Sequence, residues 1–286
     1  MPRIVWVYAL TILAIAFAAI FVRLALPAPP TVTGFYRMFF AAIAMAVWAA
    51  LIGRRVVWRG RAAGFALASG ACFGLDLAFW HTSIVLTSVG LATLLVNLTP
   101  VHLGVYAVTV RRERLAPRFV AGAALALAGM VLLLGPGLHA SGHASGLRGP
   151  GFAIVASLFY AGYLLLMSEA RREMDAFDAL LLMTLASAGV LASVALAAGN
   201  PFGGFSGASW AAMLGCALLT QVGGVLGVVW LLRHLPPTYA SVTLLAQPVC
   251  AALLAWLLLG ESIGPLQAAG GGVVLAGIAL AAVRNA

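Results

Sequence analysis

A segment of this chain is written twice. Residues 91–129 return at an offset of 148 as residues 239–277 without a gap, so that Ala92 becomes Ala240, Pro100 Pro248, Glu113 Glu261, Pro117 Pro265, Gly122 Gly270 and Gly129 Gly277. Each copy reads as an apolar helix with a proline near its middle, a polar turn holding a glutamate, and a glycine-rich apolar helix opened by a proline. Such a match at a single offset marks an internal repeat. It constrains the fold first, because the chain must then be assembled from two similar halves.

The solvent of those halves follows from how little charge they carry. Of 286 residues, 64% are hydrophobic and 8% charged, and the mean hydropathy is +1.10. A soluble domain carries about 25% charged residues, and apolar runs of about 20 residues read as membrane spans. Reading apolar runs against polar or Pro/Gly breaks predicts ten spans: Ile4 to Leu26, Val32 to Ile52, Ala62 to Ile84, Ser88 to Val110, Pro117 to Leu134, Pro150 to Ala170, Ala176 to Ala198, Ser209 to Leu232, Pro237 to Leu259 and Gly264 to Val283. The expected fold is therefore an all-α integral membrane protein with ten transmembrane helices in two five-helix repeats. The first run is too long for a signal-peptide core of about 7–15 residues, and it is kept as a span. The weakest break is His81 to Ser88.

All sixteen basic residues are arginine, and the formal charge is +9. Nucleic-acid binding would need basic residues clustered on a soluble face. Here they sit in the breaks between spans, where anionic lipid headgroups are the simpler partner. Arg3, Arg54, Arg55, Arg59, Arg61, Arg111, Arg112, Arg114, Arg118, Arg171, Arg172, Arg233 and Arg284 fall on one side of a ten-span topology, with Arg23, Arg37 and Arg148 elsewhere. The positive-inside rule then places both termini in the cytoplasm. A unit of five spans is odd, so the second copy enters the membrane inverted. The charges fit: Glu113 lies among arginines, and Glu261 in Gly-Glu-Ser-Ile-Gly-Pro without one. The expected organisation is a first repeat, residues 1–134, an outer flexible linker, 135–149, and an inverted second repeat, 150–286. In the linker His139 and His143 read as solvated loop residues rather than metal ligands. Cys72, Cys216 and Cys250 lie inside apolar runs and read as packing residues.

The twin segments resemble those of the drug/metabolite transporter superfamily, the EamA-type ten-helix carriers. The likeness is carried by Val-Gly-Leu-Ala-Thr-Leu-Leu-Val-Asn-Leu-Thr-Pro through Arg-Glu-Arg-Leu-Ala-Pro to Gly122 and Gly129, and by Tyr-Ala-Ser-Val-Thr-Leu-Leu-Ala-Gln-Pro through Leu-Gly-Glu-Ser-Ile-Gly-Pro to Gly270 and Gly277. Arg37, in Gly-Phe-Tyr-Arg-Met-Phe-Phe, matches an arginine that family members often carry. The resemblance covers the whole chain. It implies a multi-pass exporter of the bacterial inner membrane, moving amino acids or other small metabolites, with the YddG-like exporters of aromatic and other amino acids as the nearest branch. The first copy departs from the pattern, with Arg-Glu-Arg where the second has Gly-Glu-Ser.

Depth in the bilayer sorts the candidate residues, because polar groups near the midplane are costly and are retained for function or for pairing. Counting about 1.5 Å per residue from the span ends places Asn97, Thr99, Gln221 and Gln247 near the midplane. They are candidate substrate contacts, together with Thr243; the alternative is interhelical hydrogen bonding. Pro100 and Pro248 lie at the same level, where a missing N–H and a ring clash should kink each helix. Asp76 is the acidic residue well inside a span, with Trp80 one turn on along the same face, then Ser83 and Thr87. It could bind an ammonium, carry a proton or line an outer vestibule. Arg37 could meet a carboxylate. His81 and His102 are weaker candidates, and Trp80, Tyr163, Trp230 and Tyr239 offer aromatic surface for stacking or for the membrane interface. Gly70/Gly74 and Gly223/Gly227 are small-xxx-small pairs expected to let helices approach closely.

The expected function is secondary transport of small, amino-acid-like solutes outward by alternating access, with the two halves enclosing a shared polar chamber. No cofactor and no metal are expected, the proton is a candidate coupling ion, and monomer and dimer remain open. A membrane enzyme on lipid-linked substrates would need a convergent nucleophile and base or a metal cluster, which seven acidic and five histidine residues spread over many spans do not supply. A non-transporting scaffold or receptor is the other alternative.

Overall fold

The computed structural model describes residues 2–56, 60–86, 89–138, 147–260 and 262–282. His139, His143, Thr87, Glu261, Arg59 and Arg284 lie outside the described residues. Among the described residues ten helical stretches are long and apolar enough to cross a membrane. The elements are α1 (Pro2–Leu24), α2 (Pro30–Leu51), α3 (Gly60–Leu86), α4 (Val89–Val96), α5 (Thr99–Thr109), α6 (Pro117–Leu138) and α7 (Arg148–Ala170), then α8 (Ala176–Ala197), α9 (Gly207–Gly215), a π-helical segment (Cys216–Val225), α10 (Leu226–Leu231), α11 (Pro237–Leu244), α12 (Ala246–Leu259) and α13 (Pro265–Ala282). Large apolar side chains such as Leu51, Val105, Trp256 and Leu257 stand exposed on these helices. That pattern suits lipid, since a soluble monomer rarely leaves extended apolar surface bare.

Two boundaries differ from those expected. α3 runs through His81 to Leu86, taking most of the expected weak break into helix. α6 continues through Leu138, four residues past its expected end at Leu134, and takes the start of the expected linker into helix.

Contacts divide the chain into two compact units, one of Met1–Ala78 with Gly162–His234, the other of Phe79–Ala161 with Leu235–Ala286. Each unit combines segments from both copies of the repeat.

In the first unit α3 meets α8 at two glycines. A Cβ on Gly70 would stand 2.2 Å from the Met183 carbonyl oxygen, and one on Gly74 would stand 2.9 Å from the Val190 Cβ. Ser187 adds a polar tie, its hydroxyl lying 2.8 Å from the Gly70 carbonyl and 2.9 Å from that of Met183. The expected Gly223/Gly227 pair is replaced. Gly227 faces Thr11 on α1 and Gly224 faces Ile15, whereas Gly223 has only its own helix nearby. The polar end of this unit is held by Arg54, whose Nη2 lies 2.6 Å from the Asp175 and 3.1 Å from the Asp178 carboxylate. Asp175 also caps α8 by accepting the Phe177 amide at 2.9 Å. Burial pushes the Asp175 carboxyl up, but the Phe177 amide and the Arg54 and Arg171 guanidinium groups outweigh it and hold it below the ordinary carboxylate range. Arg171 is buried, donating from Nε to the Val229 carbonyl at 3.0 Å and from Nη1 to that of Met174.

In the second unit the twin helices α6 and α13 pack antiparallel. A Cβ on Gly122 would lie 2.4 Å from the Ala281 amide nitrogen, and one on its twin Gly270 would lie 2.4 Å from the Leu133 nitrogen. Gly129 and Gly277 repeat the relation, against Val274 and Ala126. Each contact is thus matched by one with the copies exchanged, a local two-fold relation between α6 and α13. Ala126, Met130, Leu133 and Val274 close the seam, with Leu245 and Val249 packed beside it.

Candidate functional site

Arg37 leads the candidates because it is a guanidinium in the interior of a span and is only 8% exposed. Its Nε and Nη2 donate to one oxygen, the Gln221 Oε1, at 3.1 and 2.9 Å. A guanidinium only donates, so the Gln221 amide must turn its oxygen toward Arg37. The amide nitrogen then donates to the Thr184 Oγ1 at 3.2 Å. Three spans are tied together by this chain: α2, the π segment and α8. The Arg37 Cζ also sits 5.8 Å from the Phe73 ring centroid, and Phe73 packs on buried Tyr163 with centroids 5.0 Å apart.

The π segment explains how Gln221 comes to face Arg37 while its helix also packs on α1. Gly215 meets Phe21 of α1 and Gly224 meets Ile15. These glycines are nine positions apart, about two and a half turns at 3.6 residues per turn, which would put them on opposite faces. The wider i→i+5 winding brings both onto the α1 side.

Asp76, one turn before Trp80 on α3, is 4% exposed, and its Oδ1 has no hydrogen-bond partner among the described residues. Arg37 packs against Phe73, one turn before Asp76 on the same helix, yet gives its hydrogen bonds to Gln221. Thr33, one turn before Arg37 on α2, is buried with its hydroxyl also unpartnered among the described residues.

The second unit holds the other candidates. The span of residues 89–109 is interrupted at Asn97 and Leu98, and its twin at Leu245, in each case two or three residues ahead of the proline. Pro100 has no N–H for the Val96 carbonyl, and the Thr99 hydroxyl fills that vacancy at 3.0 Å. Thr99 also lies 3.3 Å from the Ser157 carbonyl. His102 Nε2 stands 2.7 Å from Ser157 Oγ. The single Ser157 hydroxyl proton goes to the Ile154 carbonyl at 2.7 Å, so Nε2 is the donor in the contact with His102. Asn97 turns its amide to its own helix, at the Thr93 carbonyl 2.7 Å away. Thr243 likewise bonds the Ala240 and Tyr239 carbonyls at 2.8 and 3.0 Å. Gln247 is half-buried, and His81 is buried with its ring 5.3 Å from that of Trp80.

Arg37, Gln221 and Asp76 thus belong to one unit, with Tyr163 behind Phe73, whereas Asn97, Thr99, Pro100, Thr243, Gln247 and Pro248 belong to the other. Thr184 and Ser157 were not singled out by sequence, although each is a polar residue isolated in an apolar run, a signal that could have flagged them.

The profile of the EamA-like transporter family matches residues 2–135 and again residues 147–283, one match to each copy of the repeat. The chain belongs to the EamA-like transporter family. An uncharacterized transporter of Archaeoglobus fulgidus is 28% identical over 207 residues, covering 72% of each chain. A crystal structure of a protein 18% identical in sequence superposes with a TM-score of 0.82, over 98% of this chain and 97% of its own, a likeness of fold alone. This EamA-like protein is accordingly a multi-pass membrane transporter built from ten apolar helices.

Proposed function

We propose that this EamA-like transporter exports small amino-acid-like solutes, neutral or aromatic, across the bacterial inner membrane by alternating access. In this reading residues 1–134 and 150–286 are the two inverted repeats, 135–149 links them, and both termini are cytoplasmic. The observation that carries the reading is Arg37: a guanidinium buried in a span, held by an uncharged glutamine rather than by a carboxylate. A charge at that depth costs about 2.5–3.5 kcal/mol on insertion scales. A bundle that needed only packing would be more stable with an apolar residue there. The cost is understandable if Arg37 receives an anionic group of the cargo. Thr33, Phe73 and Gln221 surround it with a mixed polar and aromatic lining suited to a small amphiphilic solute. The broken spans at Asn97–Leu98 and Leu245 supply bends that a change of access would use, with Asn97, Thr99, Thr243 and Gln247 beside them.

The test is counterflow of radiolabelled amino acids in proteoliposomes of purified protein, repeated with an imposed pH gradient to read proton coupling. Saturable exchange is expected for at least one neutral or aromatic amino acid. Its absence for all twenty would overturn the reading.

A further inference from the structure

Resting on the export reading above, we infer that Arg37 and Asp76 form a split receptor for the two charges of a free α-amino acid: the guanidinium takes the α-carboxylate and the Asp76 carboxylate takes the ammonium.

Three observations in the first unit carry this. The Gln221 oxygen occupies the Nε–Nη2 edge of Arg37, while Nη1 and the outer hydrogen of Nη2 bond no other described residue. That is the end-on fork that binds a carboxylate through two parallel hydrogen bonds. Asp76 is more than nine-tenths buried and holds an oxygen without a hydrogen-bond partner among the described residues. Arg37 packs against Phe73, its Cζ 5.8 Å from the ring centroid, and Asp76 lies one turn beyond Phe73 on the same helix, yet Arg37 bonds Gln221, itself tied to Thr184, instead of Asp76. A guanidinium and a carboxyl group left unbridged at membrane depth each forfeit a partner. A zwitterion supplies both partners at once, on groups attached to a single carbon, and adds no net charge to the bilayer.

Charge sign then decides what is refused. A carboxylic acid lacking the ammonium would satisfy Arg37 and leave the Asp76 carboxyl without its donor. An amine lacking the carboxylate would do the reverse. Gln221 is a positioning residue, since it orients the fork and the cargo would meet Arg37.

The experiment uses the full chain in proteoliposomes and a set of compounds sharing one side chain: phenylalanine, N-acetylphenylalanine, phenylalaninamide and phenethylamine, with leucine, N-acetylleucine, leucinamide and 3-methylbutylamine as a second set. Competition against counterflow of the better transported parent is expected to weaken by roughly tenfold or more on loss of either charge. Asp76→Asn should shrink the penalty against the N-acetyl acid, and Arg37→Gln the penalty against the amines. Thermal stabilisation of the unmodified protein by the same compounds gives the ranking without any variant. Analogues that match their parent within about threefold, or variants that weaken every compound equally, overturn the split receptor and leave export standing. If no free amino acid exchanges or stabilises, the export reading falls and this inference with it.

Discussion

The seam between α6 and α13 makes a quantitative prediction, because each of its glycines is met by backbone. A methyl on Gly270 would stand 2.4 Å from the Leu133 nitrogen and 2.9 Å from the Gly129 oxygen. Carbon contacts are comfortable at about 3.5 Å, so the helices must part by about 1 Å, a gap that forfeits a quarter to a half of each dispersion well. Backbone cannot swing aside as a long side chain can. Gly270→Ala should therefore cost about 1–3 kcal/mol, the range of overpacked cores. Gly272, two residues along the same helix, has nothing within 4 Å of an added Cβ. There the same substitution only removes a flexible residue from a helix and should stabilise by about 0.5–1 kcal/mol. The opposite signs exclude a general effect of alanine. Gly122 and Gly277 face each other, each Cβ falling 2.6 Å from the other's carbonyl oxygen. The double variant should accordingly cost less than the sum of its singles, since one parting of the helices admits both methyls. Thermal unfolding in detergent, read by loss of the monodisperse peak, measures all five variants against the unmodified protein. Equal shifts for Gly270→Ala and Gly272→Ala would refute the reasoning.

At the polar end of the first unit, Asp175→Ala should lower thermal stability by about 0.5–2 kcal/mol, because the cap of α8 and the pairing with Arg54 are lost together. The Asp175 carboxyl is depressed in the folded protein, so its contribution is present above the ordinary carboxylate value and is lost as pH falls through the lower folded value. The gap between wild type and variant should narrow in melting curves taken below about pH 4; a gap independent of pH would remove Asp175 from this role. Gln247→Leu should weaken amino-acid counterflow while leaving expression and monodispersity intact, and unchanged kinetics would take Gln247 out of the transport path.

Most of the architecture could be read before any coordinates. Apolar runs place spans reliably because a helix crossing lipid must satisfy its own backbone, so hydropathy and length alone specify it. The helix interruptions near Pro100 and Pro248 were legible for a similar reason, since a missing N–H acts within one turn. The site was only partly legible. Arg37, Gln221 and Asp76 stood out as polar residues at depth, but that Gln221 would take the Nε–Nη2 edge across 184 residues of sequence was not readable. Thr184 was missed because one threonine in an apolar run looks neutral until its partner is known. Gly224 was missed in favour of Gly223 because a small-xxx-small pattern assumes α winding, and this segment is wound as a π-helix.

From its residues alone the chain determined a membrane solvent, ten crossings, a duplicated plan and where two helices must break, all consequences of local hydropathy, backbone chemistry and repetition. Only the tertiary structure decided which distant groups meet: the grouping of segments from both copies into each compact unit, the winding of residues 216–225, and a buried arginine bonded to a glutamine rather than to an aspartate. Such pairings depend on helix rotation and close approach, which set neighbours in space and leave no periodicity in the sequence to announce them.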